Sequence, residues 1–179
     1  MVLGVLTREP AYGYEVKKRI ARSFGTQYPN LSDSAIYPRL AQFEKDGLVE
    51  GRVEQQQGVP NKKVYRLTEA GLRRVRELVA TPVAIAGAVT DANTDDLVIH
   101  IIFFNLITNE ERRRVVEPFY NYALFRYKNA KENLEKHGDL MDKYTLTLLK
   151  YGIPGLKLSL NMYKEIMEID EAPGPVPGR

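Results

Sequence analysis

The chain has 179 residues, enough for one domain or two small ones, and its 44% hydrophobic content excludes wholesale disorder. Its net charge of +3 is unevenly spread: residues 1–80 carry 14 Lys/Arg against 9 Asp/Glu, and the remainder 12 against 14. That asymmetry is expected when one part of a protein meets a polyanion and the other does not. Cysteine is absent, which excludes disulfides, thiolate catalysis and Cys-ligated metals.

In chain order, residues 2–6 (VLGVL) form a short apolar stretch, read as a first helix, before the breaker Arg8-Glu9-Pro10. The segment AYGYEVKKRIARSF predicts a second helix. Val16, Ile20 and Phe24 make its buried stripe, while Lys17, Lys18, Arg19 and Arg22 occupy the solvated face. Tyr28-Pro29-Asn30 reads as a turn and Ser32 as the N-cap of a third helix, with Asp33 against the positive end of its dipole. Ile36, Leu40 and Phe43 face inward in that helix, and Gly47 stops it. Pro38 is expected to bend it locally without ending it. Residues 48–54 and 63–67 alternate as two short strands around the polar loop QQQGVPNK, which predicts a hairpin, and Thr68 caps a further helix carrying Leu72, Val75 and Val79.

Three helices followed by a basic hairpin have a physical use, since a helix fits the roughly 12 Å major groove while a hairpin reaches the adjoining backbone. Arg39 and Gln42 point away from the apolar stripe of the third helix; Arg39 suits guanine and Gln42 suits adenine. Ser34 and Tyr37 are candidates for phosphate or thymine contacts, and Asn61, Lys62 and Lys63 for phosphates or the minor groove. The rival reading is a helical protein-interaction adaptor that uses the same winged unit for protein contacts, which predicts no salt-dependent affinity for nucleic acid.

Several motifs resemble the PadR family of bacterial transcriptional regulators: Leu3-Gly4-Val5-Leu6, Pro10-Ala11-Tyr12-Gly13-Tyr14-Glu15, Ile36-Tyr37-Pro38-Arg39-Leu40, Glu44-x-x-Gly47-Leu48, and Val64-Tyr65-Arg66-Leu67-Thr68-Glu69-Ala70-Gly71. They span nearly all of residues 2–73 in the family's order. The resemblance implies a winged helix-turn-helix whose residues 32–47 enter the major groove, with Tyr14, Lys17, Tyr37 and the wing from Pro60 to Lys63 near DNA. It further implies a homodimer bound to a double-stranded DNA operator. Repression is the usual outcome, with release by a small molecule in some members, and several long-tailed members of this size respond to phenolic acids. The chain departs from the pattern in having almost no residues before the first helix and in carrying Ala35 where many members have Gly.

In the second half, residues 82–91 read as a connector. Asp95 and Asp96 mark a helix start, followed by the apolar run 97–106, interrupted by His100 and Asn105. As a helix that run rises about 15 Å, half of the roughly 30 Å hydrocarbon core, so it reads as a buried helix and no membrane partner is expected. Thr108 and Glu111 have the form of a capping box opening a helix to about residue 135, ended by His137-Gly138. The last helical segment carries Leu140, Tyr144, Leu148, Tyr151, Leu156, Leu160, Tyr163 and Met167, and its Gly152-Ile153-Pro154-Gly155 run predicts a kink or a split. These helices hold more apolar surface than a small domain buries internally, which favours a dimer. With the resemblance, Tyr120, Tyr122, Phe125 and Tyr163 are candidates for an aromatic effector site; the family's tryptophan near the end of this helix is missing.

Catalysis finds no support. His100 reads as packed and His137 as a helix C-cap, the two have no metal-ligand spacing, and no phosphate loop, dinucleotide fingerprint or serine elbow occurs. The expectation is a mainly α protein with a small β-hairpin, without cofactor, metal or enzymatic activity. It comprises a winged helix-turn-helix DNA-binding domain (1–80), a connector (81–91), a helical dimerisation and effector domain (92–171) and a flexible tail (172–179). With no charged leader before an apolar run, it is expected in the cytoplasm.

Overall fold

The computed structural model describes residues 1–24, 33–55, 62–84 and 91–174. They group into two compact units: Met1–Thr81 with Ile99–Ile107 and Pro173–Arg179, and Pro82–Val98 with Thr108–Ala172. The architecture is mainly helical with one small sheet, as the apolar periodicities predict.

The first unit opens with α1 (Val2–Val5), strand β1 (Ala11–Tyr12) and α2 (Gly13–Phe24). Helix α3 (Asp33–Lys45) follows, then the hairpin β2 (Val49–Glu54) and β3 (Lys62–Leu67), then α4 (Glu69–Ala80). Its core is the predicted one, with Val16 and Ile20 from α2, Ile36 and Leu40 from α3, Val49 from β2 and Val75 and Val79 from α4 all buried. Helix α3 runs through Pro38 without a break. The expected caps at Ser32 and turn at residues 28–30 lie outside the described residues. The helix ends in a Schellman arrangement: Leu48 N–H donates to the Phe43 carbonyl at 2.8 Å and Gly47 N–H to that of Glu44 at 3.1 Å. Gly47 takes φ +70°, the left-handed conformation that this stop requires.

The sheet has the order β1-β3-β2 and is antiparallel throughout. Sequence reading missed β1, because two residues hold too little of a period-2 pattern to detect; its register sets Ala11 opposite Tyr65 and Tyr12 opposite Val64. Thr68 caps α4 as predicted, its hydroxyl accepting from Gly71 N–H at 3.0 Å while donating to the Gly47 carbonyl at 2.7 Å. One side chain thus ties the end of α3 to the start of α4. Residues 99–107 supply Phe103, whose ring lies where a Cβ on Gly4 would come within 2.4 Å of it.

The second unit is built on a long antiparallel hairpin, α6 (Asn109–His137) and α7 (Lys143–Glu168). The predicted capping box is present: Glu111 N–H donates to the Thr108 hydroxyl and Thr108 N–H to the Glu111 carboxylate. Helix α5 (Asp91–Ile102) starts at Asp91, ahead of the expected Asp95. Helix α7 is continuous across residues 152–155, so the expected split is corrected. Two glycines and a proline cost helix propensity, but Leu160 and Tyr163 beyond them are buried on the α6 side, with the rings of Phe119 and Tyr163 6.3 Å apart. That packing offsets the one backbone bond that Pro154 cannot make. Arg112, 3% exposed, donates to the carbonyls of Ile169 and Glu171 and fastens the chain that leaves α7. Among the described residues no helix is long and apolar enough to cross a membrane.

Candidate nucleic-acid interface

Three elements of the first unit meet at one exposed patch: the start of α2, the outer side of α3 and the loop end of the β2–β3 hairpin. Tyr12 ends β1 and Tyr14 lies in the first turn of α2, and their rings stack with centroids 5.7 Å apart and planes 5° from parallel. The Lys62 ammonium, from the first residue of β3, lies 5.6 Å from the Tyr12 ring centroid and 5.8 Å from that of Tyr14. The Lys18 ammonium, one turn along α2, sits 5.4 Å from the Tyr14 ring. The Tyr12 hydroxyl donates to Glu54 at 2.6 Å, and this bond is the main reason that its pKa lies above the usual phenol value. The loop end of the hairpin is therefore held against β1 and the start of α2 by the Lys62 ammonium over both rings and by the Tyr12–Glu54 bond.

Tyr37 joins this patch from α3. A Cβ on Gly13 would fall 2.4 Å from its ring, so the close approach of ring to backbone exists because residue 13 is glycine. Tyr14 and Tyr37 remain 41% and 46% exposed, although each has a supporting contact. Lys17 and Ser34 are exposed beside them.

Arg39 and Gln42 are exposed as predicted, but they do not share the patch equally. At 100° per residue, Tyr37 and Arg39 leave α3 on opposite flanks of the Ile36–Leu40–Phe43 stripe. The residues directly opposite that stripe are Ser34, Pro38, Ala41 and Lys45, all exposed, and of these only Ser34 was singled out from sequence as a DNA contact. A helical wheel drawn from the buried stripe would have found the other three. The Gln42 amide donates to Asp46 at 2.7 Å. The Lys63 ammonium is paired with Glu44 at 2.6 Å and lies 5.5 Å from the Tyr65 ring; the bond to Glu44 raises the lysine's pKa. Pro60 and Asn61 lie outside the described residues. Tyr12 and Lys18 are the members of the patch that sequence reasoning left out. Arg19 proves structural, donating to the carbonyls of Glu9 and Pro10 and pairing with Glu9 at 2.9 Å.

Beside α3, Arg39 also lines a cleft of about 380 Å³ within the same unit. Its walls are apolar, including Leu3, Phe43, Val75, Leu78 and Phe103, and Arg74 is its second guanidinium. The four aromatic residues named for an effector are not part of this cleft. Tyr163 is buried against Phe119, Phe125 is exposed, the Tyr122 ring carries the Arg126 guanidinium at 6.0 Å, and Tyr120 leaves α6 on the flank opposite Tyr122. Among the described residues no three His, Asp or Glu side chains converge as metal ligands.

Residues 2–77 match the Transcriptional regulator PadR-like family. The probable transcriptional regulator Rv1176c of Mycobacterium tuberculosis is 28% identical over 105 residues, 56% of this chain and 55% of that protein, so the match spans about half of the curated relative's length. Both matches are to regulators rather than enzymes, the class read from the sequence. Among solved structures, Bacillus subtilis PadR in complex with operator DNA is similar with a TM-score of 0.44 and 19% identity, covering 93% of each chain. The PadR-like transcriptional regulator BC1756 from Bacillus cereus is similar with a TM-score of 0.38 and 21% identity, again covering 93% of each chain.

Proposed function

We propose that the chain is a transcriptional regulator of the PadR-like type, which its residues 2–77 match, and that it binds a palindromic operator as a homodimer and represses the adjoining gene. The observation that carries this reading is the exposed Tyr14–Tyr37–Lys18–Lys62 patch where α2, α3 and the loop end of the hairpin meet. In this reading α3 enters the major groove. Ser34, Tyr37, Arg39 and Gln42 lie along its approach, and Lys17, Lys62, Lys63, Pro60 and Asn61 meet the flanking backbone or minor groove. Tyr14 holds the cations and touches a sugar or phosphate. A two-fold dimer sets two such helices about 34–36 Å apart, one turn of DNA. The first 80 residues then act as the reading head and residues 92–171 as the assembly arm, in the cytoplasm.

Binding of genomic fragments, selected and then titrated by fluorescence anisotropy at several salt concentrations, tests the proposal. The expected result is one inverted-repeat sequence bound at least 10³-fold more tightly than random duplex, with a steep loss of affinity in salt. Uniform, salt-insensitive or undetectable binding would reject it and return the adaptor reading.

The effector we propose is an amphipathic aromatic acid of the phenolic type. The cleft beside α3 supports this more directly than the Tyr120, Tyr122, Phe125 and Tyr163 set. It has apolar walls, two guanidiniums for a carboxylate, and a volume within the usual 300–1,000 Å³ range of ligand pockets. Arg39 belongs to both the cleft and α3, so an acid bound there competes with DNA for the same side chain. Calorimetry with a panel of phenolic acids should find binding that Arg74→Ala abolishes without loss of operator affinity; binding indifferent to Arg74 would move the site elsewhere.

A further inference from the structure

The first unit holds a second, smaller cleft of about 170 Å³, lined by Val5, Arg8, Glu9, Arg19, Arg22 and Phe103. Its floor is apolar, since Val5 and Phe103 are both buried. Three guanidiniums and one carboxylate stand around that floor, a net of two positive charges. Arg19 and Arg22 are three positions apart and so share one flank of α2, which the fold brings to Arg8 in the loop after α1. Arg19 is anchored, donating to the Glu9 carbonyl at 2.8 Å and to that of Pro10 at 3.0 Å. Its ion pair with Glu9 joins a side chain 19% exposed to one 70% exposed. The cation is therefore fixed in the wall while its acid stands mostly in solvent, where water screens the pair. Arg8 and Arg22 are exposed at the rim.

We propose that this cleft binds a small phosphate monoester, its phosphate among Arg8, Arg19 and Arg22 and its carbon part on Val5 and Phe103. Three features select that class. A guanidinium presents its N–H donors as a planar fork that matches the oxygens of a phosphate. A monoester carries a charge of about −1.5 to −2 at neutral pH and balances the net charge of the lining, whereas a carboxylate leaves one cation unmatched. The volume lies below the roughly 300–1,000 Å³ of pockets for larger ligands, which excludes a nucleotide and leaves room for a phosphate on a short carbon chain.

The site is distinct from the two already described. Arg22 lies eight residues along α2 from Tyr14, a rise of about 12 Å, which sets it back from the Tyr14–Tyr37 patch. The cleft beside α3 has its own guanidiniums, Arg39 and Arg74, and among the described residues Phe103 alone lines both cavities.

The full-length chain without DNA is the material for the test, so the result does not depend on operator binding. Calorimetry and phosphorus NMR with n-propyl phosphate, inorganic phosphate and sulfate should find one site per chain that prefers the ester several-fold. Arg8→Ala and Arg22→Ala, both at exposed positions, should each weaken ester binding about tenfold or more with unchanged circular dichroism. Glu9→Gln removes the acid that competes for Arg19 and should tighten binding several-fold, a gain that misfolding does not imitate. Binding indifferent to both arginines overturns the proposal. Equal affinity for all three anions marks an adventitious ion only and overturns it as well. If the free chain takes up no phosphate while Arg8→Ala and Arg22→Ala flatten the salt dependence of operator binding, the guanidiniums serve the DNA backbone. The monoester site then falls and the proposed function stands.

Discussion

The two units of the molecule spend their apolar residues differently. In the first unit Leu40 is completely buried, and the exposed large hydrophobic residues are few: Tyr14 and Tyr37 in the α2–α3 patch, with Val53 and Leu78 elsewhere. In the second unit Leu140, Tyr144, Leu148, Tyr151 and Leu158 are all at least 70% exposed, and they follow one another along a single line. The cause is geometric. Four helices and a sheet can close around a centre, whereas two antiparallel helices cover only one face of each other. The first unit is therefore complete as a folded object and displays polar and aromatic groups to a ligand. The second has a core but leaves a line of large apolar side chains exposed.

The largest effect that tests this contrast should come from the second unit's own core. Phe119→Ala, at a side chain 1% exposed and packed on Tyr163, is expected to cost about 3–5 kcal/mol in chemical denaturation. A small cost would mean that the hairpin has no core without its partner. In the first unit Leu40→Ala should cost about 2–5 kcal/mol at any protein concentration. Leu148→Ala should instead destabilise by an amount that depends on protein concentration, the mark of a residue buried only on assembly.

Smaller effects separate the two units by ligand. Gly13→Ala drives a methyl into the Tyr37 ring, and should weaken operator binding several-fold while leaving sedimentation unchanged. Lys62→Ala should flatten the dependence of log affinity on log salt by about one ion. Glu44→Gln should steepen it by about one, because it releases Lys63 from its 2.6 Å pair. Equal slopes in these two variants would remove the loop end of the hairpin from the DNA interface.

The smallest effect concerns acid. Asp142 caps α7, accepting from the N–H groups of Tyr144 and Thr145 and from the Thr145 hydroxyl, and these bonds lower its pKa below the ordinary 3.8. A carboxyl with a lowered folded-state pKa stabilises fully above its unfolded value and loses that contribution as pH falls through the folded one. Protection of the Tyr144 and Thr145 amides against hydrogen exchange should therefore fall below about pH 3.8, and Asp142→Asn should make it independent of pH in that range.

Much of this was legible beforehand for reasons that belong to short stretches of chain. The Val16–Ile20 and Ile36–Leu40 spacings, the Gly47 stop, the Thr68 cap and the Thr108–Glu111 box each depend on residues within one or two turns, and all appear as read. The exposed state of Tyr37, Arg39 and Gln42 followed from the same periodicity. Long-range features did not follow. Strand β1 exists because β3, more than fifty positions away, offers it a partner. Lys63 turned to Glu44, and Lys62 to the tyrosine pair, because the sheet register brought them there.

Helix α7 shows where the division lies. Local propensity argued for a break at residues 152–155, and packing of one seam on α6 overrode it. The exposed apolar line Tyr144–Leu148–Tyr151–Leu158 was present in the amino acids from the start, but only burial distinguishes it from the line of α7 that faces α6. Period and capping are properties of a few consecutive side chains. Which of two equivalent faces is covered is a property of everything that packs around them.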